Sequence, residues 1–357
     1  MCFSSEDRMY MQRCLQLAAN GRGTASPNPM VGSILVQGGE IIGEGWHLRA
    51  GEPHAEPNAI ASVRDRARLK DATLYVNLEP CSHYGKTPPC VELIIREQIP
   101  RVVIGSLDPF PLVSGRGVAC LREAGVEVVL GVEELACLEL NKDFIGFHQK
   151  KRPRIVLKWA QTADGFIDWN RTPGDGQSPL SISNAYTQIL THKLRSESDA
   201  ILVGTRTAIL DNPSLNVRLW SGRNPLRIVL DRLEVVPPSA NVFDGKQETL
   251  LFTEGQSRSK GMVQWVHLDF DSNMLGVIMD ELYRRNKLVL LVEGGTKIHE
   301  SFIQEDLWDE IHVETSPLRI GVGVPAPKIG AKWLNHSTNE RIGQGSHLRE
   351  IRTYYHL

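Results

Sequence analysis

The residues best suited to chemistry are one histidine and two cysteines, in an order that is typical of a zinc site. His54 opens the triplet H-A-E, Cys81 follows a proline, and Cys90 comes after eight further residues. Zinc takes four protein ligands in structural sites, but three ligands and a water in catalytic ones. Three ligands therefore predict an open site at which water is activated.

Glu56 adds a proton carrier to this predicted site. It lies two residues beyond His54 in the first turn of a predicted helix, where a carboxylate can take a proton from water and pass it to a leaving amine. Zinc deaminases show this order: H-x-E, then P-C and a second cysteine. Their cysteines are usually two residues apart. We interpret the eight residues here, S-H-Y-G-K-T-P-P, as an insertion that brings side chains to the substrate.

Two plainer interpretations stay open from the residues alone. In one, His54 begins a helix, Glu56 is a first-turn acid favoured by the helix dipole, and the cysteines pack in the core. In the other, the zinc site is structural and His83 supplies a fourth ligand.

The elements that must position these residues form an α/β pattern. Apolar spacing predicts a helix over 6–19, and Gly38-Gly39 between two apolar runs predicts a β-hairpin of 31–36 and 41–46. Helices and strands then alternate. The predicted helices are 54–66, 90–98 and 116–124, and the predicted strands are 73–78, 101–105 and 126–130.

A basic stretch that contains a proline, at 149–153, separates this half from a second one, so we place a linker there. The second half again mixes strands and helices and has no internal repeat. Its predicted strands are 154–159, 200–204, 226–230, 249–252, 288–292 and 311–314, and its predicted helices are 183–197, 275–285 and 297–305. The sequence therefore predicts two α/β domains, at 1–148 and 153–357.

The composition is that of an ordinary globular protein. Of 357 residues, 41% are hydrophobic and 23% are charged, which excludes a disordered, collagen-like or coiled-coil chain. The apolar runs are too short for a membrane span, and the charged N-terminus lacks the core of a secretory signal, so we expect a cytoplasmic protein. The six cysteines all lie in the first 150 residues, and a reducing compartment favours thiols or metal ligands over disulfides.

The charge balance does not favour a polynucleotide partner. The first 150 residues contain 15 Lys and Arg against 18 Asp and Glu, and the remainder contains 25 against 24. Neither half has the basic surplus that neutralises phosphates.

Ordered motifs along the chain resemble those of one enzyme family. In the first half they are S-P-N-P-M-V-G (26–32), G-E-G-W-H (43–47), A-G-E-P-H-A-E (50–56) and L-E-P-C-S-H-Y-G-K-T-P-P-C (78–90). In the second half they are K-W-A-Q-T-A-D-G (158–165), V-G-T-R-T-A-I-L-D-N-P-S-L-N-V-R (203–218), P-L-R-I-V-L-D (225–231) and V-E-G-G (292–295). They resemble the bifunctional diaminohydroxyphosphoribosylaminopyrimidine deaminase/reductase family of riboflavin biosynthesis, over almost the whole chain.

This resemblance implies an N-terminal cytidine-deaminase-like α/β/α domain and a C-terminal dihydrofolate-reductase-like α/β domain. It implies deamination of 2,5-diamino-6-(5-phosphoribosylamino)pyrimidin-4(3H)-one and then NADPH-dependent reduction of the ribosyl side chain to ribityl. By the same resemblance, His54, Cys81 and Cys90 hold zinc, and Glu56 moves protons to a ring nitrogen and to departing ammonia.

Matching motif positions imply further deaminase residues that contact substrate: Asn28, His47, Lys86 and Asp108. Lys86 is the natural partner of a phosphate or ring oxygen, because its charge is compact. Without the resemblance, Asn28 and Asp108 would be interpreted as turn residues, His47 as the end of a strand and Lys86 as a solvated lysine.

In the reductase half, the resemblance assigns substrate contacts to Arg195, Leu215, Arg218 and Glu293, and cofactor contacts to Thr207, Asp211, Gly294 and Gly295. The two glycines follow an apolar strand and precede a helix, so their backbone N–H groups are placed to receive a cofactor phosphate. The two arginines suit a ribosyl phosphate; alone they would be surface charges.

One departure from the family concerns Ser181, which stands where many members carry a tryptophan. This difference leaves the cofactor contacts of the surrounding loop, 175–183, unassigned. Lys158 and Asp164 also match the family, but the sequence does not identify a proton donor for the reduction.

Other function classes fit parts of the sequence. A nucleic-acid base deaminase uses the same zinc ligands, but with a basic groove or stacking surface. A nonenzymatic protein with structural zinc is a second alternative, and a chain with only one active domain is a third. We expect a small-molecule substrate, neither nucleic acid nor membrane as partner, and a homo-oligomer.

Overall fold

The computed structural model describes residues 3–84, 88–109 and 114–356. It divides the chain into two units, Met1–Lys151 and Arg152–Leu357, here called the N-terminal and C-terminal units. Within the described residues, no helix has the length and hydrophobicity that a membrane span needs.

The sheet of the N-terminal unit has the strand order β2-β1-β3-β4-β5. The strands are β1 (Gly32–Gln37), β2 (Glu40–Trp46), β3 (Thr73–Leu78), β4 (Arg101–Ser106) and β5 (Glu127–Leu130). β1 is antiparallel to β2 and β3, whereas β3, β4 and β5 are parallel. The predicted hairpin is present, and Gly38 and Gly39 both have positive φ, which glycine adopts without steric penalty.

Helices cover both faces of this sheet. They are α1 (Ser5–Ala19), α2 (Ala55–Ser62), α3 (Cys90–Arg96), α4 (Arg116–Glu123), α5 (Glu134–Leu140) and α6 (Lys142–Lys150). Ile34 packs with Met11 of α1, while the next residue, Leu35, packs with Ile60 of α2 and Ile94 of α3. Because successive strand residues point to opposite faces, the unit is the predicted α/β/α sandwich.

The C-terminal unit has a larger sheet, in the order β11-β12-β10-β9-β8-β13-β6-β14-β17-β16. Its strands are β6 (Arg154–Thr162), β7 (Phe166–Asp168), β8 (Ala200–Gly204), β9 (Leu226–Leu230), β10 (Thr249–Thr253), β11 (Arg258–Lys260), β12 (Val263–His267), β13 (Val289–Val292), β14 (Glu310–Ser316), β15 (Val324–Pro325), β16 (Ser337–Ile342) and β17 (Arg349–Tyr355). The strands from β12 to β14 in this sheet order, which are β12, β10, β9, β8, β13, β6 and β14, are all parallel to one another. Strand β7 forms a separate antiparallel pair with β15.

The helices of this unit are α7 (Ala185–Ser196), α8 (Thr205–Leu210), α9 (Met274–Arg284) and α10 (Thr296–Gln304). Leu202, Leu290 and Phe302 belong to a buried core that joins β8, β13 and α10. Since β6, β8, β9 and β13 are parallel, the loops after their carboxyl ends meet at one edge, where open α/β sheets bind ligands.

Candidate functional site

Two glycines of β2 allow α2 to approach the sheet closely. A Cβ atom on Gly45 would lie 2.3 Å from the Ala59 backbone nitrogen, and one on Gly43 would lie 2.6 Å from the Ala59 carbonyl oxygen. This packing fixes the start of α2, where His54 is the N-cap residue. The glycines of the motif G-E-G-W-H therefore have a structural role. They set the distance between the sheet and α2, the helix that His54 caps.

His54, Cys81 and Cys90 converge as the spacing predicts. His54 Nδ1 lies 3.5 Å from Cys81 Sγ and 3.4 Å from Cys90 Sγ, and all three ligand atoms lie within 4.8 Å of one another. Tetrahedral zinc with its usual bond lengths places a nitrogen and a sulfur ligand about 3.6 Å apart. The distances and the chemistry of the donors thus fit a zinc ion.

The two thiols at this cluster influence each other. Cys90 N–H donates to Cys81 Sγ at 3.3 Å. The hydrogen bond from the Cys90 thiol lowers the pKa of Cys81 to about 4, and the same interaction raises the pKa of Cys90. His83 is exposed and lies outside the cluster, which within the described residues contains three ligands. The structural-zinc interpretation through His83 has no support here.

Glu56 points at the cluster from the first turn of α2. Its side chain is buried, burial raises its pKa to about 7, and it hydrogen-bonds the Cys90 thiol. A buried carboxyl in this position can exchange a proton with a molecule held at the cluster.

Asn28 and His47 form a hydrogen-bonded pair next to the cluster. His47 Nδ1 lies 3.1 Å from the Pro53 carbonyl oxygen and Nε2 lies 3.0 Å from Asn28 Nδ2. This pattern makes Nδ1 the donor and Nε2 the acceptor. The ring also packs edge-on against His54 at 5.4 Å. Burial lowers the pKa of His47, so a neutral imidazole orients Asn28.

Asp108 lies two residues after the end of β4. It is next to the end of β3, the strand that leads to Cys81. Its N–H donates to Glu79 Oε2 at 3.1 Å. Glu79 was not a candidate from the sequence, although it belongs to the motif L-E-P-C. Lys86 lies outside the described residues.

A second candidate site lies in the C-terminal unit, at the carboxyl ends of its parallel strands. A cavity of about 1130 Å³, here called the reductase cavity, opens there. Typical small-molecule pockets measure about 300–1,000 Å³, so its size suits a cofactor and a substrate together.

The four cofactor candidates cluster around α8 and the turn after β13. A Cβ atom on Gly294 would lie 3.0 Å from Thr207 Oγ1, and one on Gly295 would lie 3.9 Å from it. Gly295 has φ +81° and is the N-cap of α10. Asp211 follows one turn after Thr207, and its N–H donates to the Thr207 carbonyl at 3.0 Å.

The substrate candidates are arranged around an ion pair. Arg195 donates from Nε to Glu293 Oε1 at 2.7 Å and from Nη2 to Oε2 at 2.6 Å. Burial raises the pKa of Glu293, but the Arg195 charge outweighs it and holds the pKa below its ordinary value. Arg218 lines the same cavity and is exposed. Leu215 is buried, has φ +50°, and is not among the residues that line the cavity.

His192 is a cavity residue that the sequence analysis missed. Its Nδ1 accepts the Arg218 N–H at 3.2 Å. Burial and the charges of Arg195 and Arg218 lower its pKa to about 4, so it is neutral at pH 7. Its position three residues before Arg195 on α7, and so on the same helix face, was the available signal.

Lys158 and Asp164 have different surroundings in the structure. Lys158 lines the reductase cavity, with Nζ 4.0 Å from Glu314 Oε2. Asp164 Oδ2 accepts the N–H groups of Ile320 and Gly321 at 2.9 and 2.8 Å, so it fixes a turn.

Comparison with known proteins decides the family. Residues 4–106 match the cytidine and deoxycytidylate deaminase zinc-binding region, and residues 153–340 match the RibD C-terminal domain. The chain is 39% identical over 352 residues to the riboflavin biosynthesis protein RibD of Aquifex aeolicus, covering 96% of each chain. It belongs to the RibD family.

Further relatives agree with this assignment. RibD of a Synechocystis species is 41% identical over 342 residues, covering 93% of this chain and 91% of its own. A solved diaminohydroxyphosphoribosylaminopyrimidine deaminase/5-amino-6-(5-phosphoribosylamino)uracil reductase from Thermotoga maritima superposes with a TM-score of 0.85. It is 35% identical and is covered over 99% of its chain, against 98% of this one.

The RibD assignment confirms the main sequence predictions. The chain is a bifunctional enzyme of riboflavin biosynthesis, with a cytidine-deaminase-like zinc domain before an α/β reductase domain. Zinc and NADPH, the predicted cofactors, are those of these two domains. Ser181, at the position where we aligned the family's tryptophan, lines the reductase cavity.

Proposed function

We propose that residues 1–148 deaminate 2,5-diamino-6-(5-phosphoribosylamino)pyrimidin-4(3H)-one and that residues 153–357 then reduce the ribosyl side chain of the product to ribityl with NADPH. The observation that carries the proposal is the convergence of His54, Cys81 and Cys90 beside the buried Glu56. The two activities named for the Thermotoga maritima relative support it.

In the deaminase, His54, Cys81 and Cys90 would hold zinc, and Glu56 would carry protons. Zinc in such a site makes water a nucleophile near neutral pH. Glu56 takes a proton from water and delivers protons to a ring nitrogen and to the departing amine. Its burial excludes bulk water as a competing proton source.

Substrate contacts at this site are proposed for Asn28, His47, Lys86 and Asp108. The neutral His47 ring accepts from Asn28 Nδ2, which leaves the Asn28 amide oxygen in a fixed orientation to accept from an amine of the pyrimidine. Glu79 holds the backbone of Asp108 next to the cluster.

In the reductase, Glu293 and Arg218 are proposed to contact substrate, and Arg195 to orient Glu293. The contact that the resemblance assigns to Leu215 stays a prediction, since this residue is buried and does not line the cavity. NADPH supplies the hydride. Arg195 is engaged by both Glu293 oxygens, whereas Arg218 is exposed in the cavity, so Arg218 is the better partner for the ribosyl phosphate. Glu293 then presents a fixed carboxylate to the ribosyl hydroxyls.

The cofactor is proposed to lie against Thr207, Asp211, Gly294 and Gly295. A side chain at Gly294 would press on Thr207 Oγ1, so glycine lets the backbone approach a phosphate at the start of α10. The Thr207 hydroxyl is a further donor beside that turn.

We also propose a cytoplasmic homo-oligomer. The cytoplasmic location is supported by the proposed substrates, because NADPH and a phosphorylated pyrimidine are charged molecules that do not cross a bilayer unaided. Association of identical chains is supported by apolar side chains exposed on α7, Tyr186 at 65% and Leu190 at 38%. Light scattering of the purified chain measures the assembly, and a monomer across micromolar concentrations would contradict it.

The test of the function supplies the diaminopyrimidine phosphate and NADPH together. We expect one ammonia released and one NADPH oxidised per substrate. The deaminated uracil product, supplied alone with NADPH, should support oxidation without ammonia. Absence of both activities overturns the proposal, and the absence of one identifies an inactive domain. Ammonia release from cytosine in single-stranded DNA instead would identify a nucleic-acid base deaminase.

A further inference from the structure

A buried guanidinium belongs to the wall of the reductase cavity, outside the residues assigned above. Arg171 lies between β7 and α7, and its side chain is 3% exposed. Its Nε donates to Asp168 at 2.7 Å and its Nη1 to the Leu210 carbonyl at 3.0 Å, while Nη2 pairs with Asp211. Arg206 in turn donates to the Arg171 carbonyl. Every nitrogen of the Arg171 guanidinium is thus used within the protein.

The partners of this guanidinium lie on separate segments of the cavity wall. Asp211 ends α8 and is bonded through its N–H to Thr207, and both are proposed cofactor contacts. Asp168 ends β7, and its second oxygen accepts the Leu180 N–H at 2.9 Å. One side chain therefore joins the segment between β7 and α7 to the helix that carries the proposed cofactor contacts.

The charges explain why this junction depends on a guanidinium. Burial raises the pKa of Asp211, and Asp168 raises it further, while the Arg171 charge opposes both effects. Without Arg171, the Asp168 and Asp211 carboxylates lose the cation that is bonded to both of them, and their repulsion separates the segments. A lysine supplies the charge but not the planar fork that reaches several acceptors at once.

We propose that Arg171 is a positioning residue for NADPH binding, because it holds Asp211 and the end of α8 in the arrangement that receives the cofactor. The inference rests on the proposed reductase function, since it takes Thr207 and Asp211 as cofactor contacts. Arg171 acts through its two carboxylate partners, so its loss weakens cofactor binding more than it slows the chemical step.

The test measures the NADPH dissociation constant of the full-length protein and of Arg171→Met and Arg171→Lys. Arg171→Met should raise Kd about tenfold or more, and Arg171→Lys should give a smaller increase. In steady-state assays with the uracil substrate, KM for NADPH should rise by a similar factor while kcat changes less than about twofold. Ammonia release should be unchanged.

A matched control is Arg227→Met. The Arg227 side chain is 1% exposed and pairs with Asp244 at 2.7 Å, but it does not line the cavity. Its loss should lower Tm and leave Kd for NADPH unchanged.

The outcomes separate this inference from the function on which it rests. A wild-type Kd in Arg171→Met, or an equal rise in Arg227→Met, overturns the role of Arg171. A wild type that binds NADPH without oxidising it overturns the reductase proposal, while the Kd comparison still decides the role of Arg171. A wild type that does not bind NADPH overturns both.

Discussion

Glu79 holds a loop with one buried carboxylate, two residues before Cys81. Its Oε2 accepts the N–H groups of Asp108 and Gly115, and its Oε1 accepts those of Gly117 and Val118. Backbone donors of this kind need acceptors once they are removed from water. Glu79 therefore connects the loop after β4, and the start of α4, to the strand end that carries a proposed zinc ligand.

Replacing Glu79 by glutamine should damage the deaminase without removing zinc. An amide group replaces one carboxylate oxygen, so two of four N–H groups lose their acceptor, at about 1–3 kcal/mol each. We expect a lower Tm, unchanged zinc content, and ammonia release reduced about tenfold or more in kcat/KM. Glu127→Gln, at an exposed glutamate of β5, is the control. Normal ammonia release by Glu79→Gln would refute this role.

His192 should make the C-terminal unit sensitive to acid. Its pKa is about 4 in the folded protein and about 6.5 when unfolded. Between these values the unfolded state binds more protons, so the free energy of unfolding falls as pH decreases from about 6.5 to about 4. His192→Asn keeps an acceptor for the Arg218 N–H but does not titrate.

Urea unfolding followed by tryptophan fluorescence measures this effect, because six of the seven tryptophans lie beyond residue 151. The urea midpoint of His192→Asn should depend less on pH in that window than the midpoint of the wild type. Parallel curves for the two proteins would show that His192 is not the titrating group.

Residue-scale prediction from sequence succeeded where a set of residue types and spacings is characteristic of one kind of site. The spacing of His54, Cys81 and Cys90, with Glu56 in the same first turn, was enough to place the cluster. Arg171 and Glu79 were missed, because Asp211, which pairs with Arg171, and the backbone partners of Glu79 lie 29 to 40 positions away in the chain. Residue types alone do not show such pairings.

Among the elements, β2 and α2 are coupled through their glycine contact. Gly45→Ala would place a methyl group 2.3 Å from the Ala59 nitrogen, so α2 must move and carry His54 and Glu56 with it. We expect zinc affinity to fall about 10- to 100-fold, as for altered support of metal ligands, and ammonia release to be lost. NADPH oxidation should persist.

Gly146→Ala is the matched control for this change. A Cβ atom there meets nothing within 4 Å, and the residue lies within α6, where alanine is favoured over glycine by up to about 1 kcal/mol. Equal zinc affinity in both variants would contradict the packing argument.

Strands and helices were predicted correctly where their residues are apolar and were missed where they are mostly polar or very short. Strands such as β3, β8 and β9 were predicted with the bounds that the structure has, because they are short, mostly apolar segments that are almost wholly buried. The sequence analysis missed β16, whose residues S-T-N-E-R-I are mostly exposed. It also missed α8, which starts directly after β8 and is too short to show a helical period.

At the scale of the whole molecule, two chemically unrelated sites lie in separate units of one chain. The zinc residues all belong to the N-terminal unit, and the reductase cavity is lined by residues of the C-terminal unit. The order of motifs predicted this division from sequence, since each motif set is complete on its own side of residue 151. The long-range pairing of strands in the larger sheet was not predictable, because its order departs from the chain order.

The central claim is tested most directly by zinc content and ammonia release measured on the same samples of wild type and Glu56→Gln. The account predicts one zinc per chain in both proteins, ammonia from the wild type only, and equal NADPH oxidation with the deaminated uracil substrate. A wild type without zinc, or Glu56→Gln that releases ammonia at the wild-type rate, would contradict it.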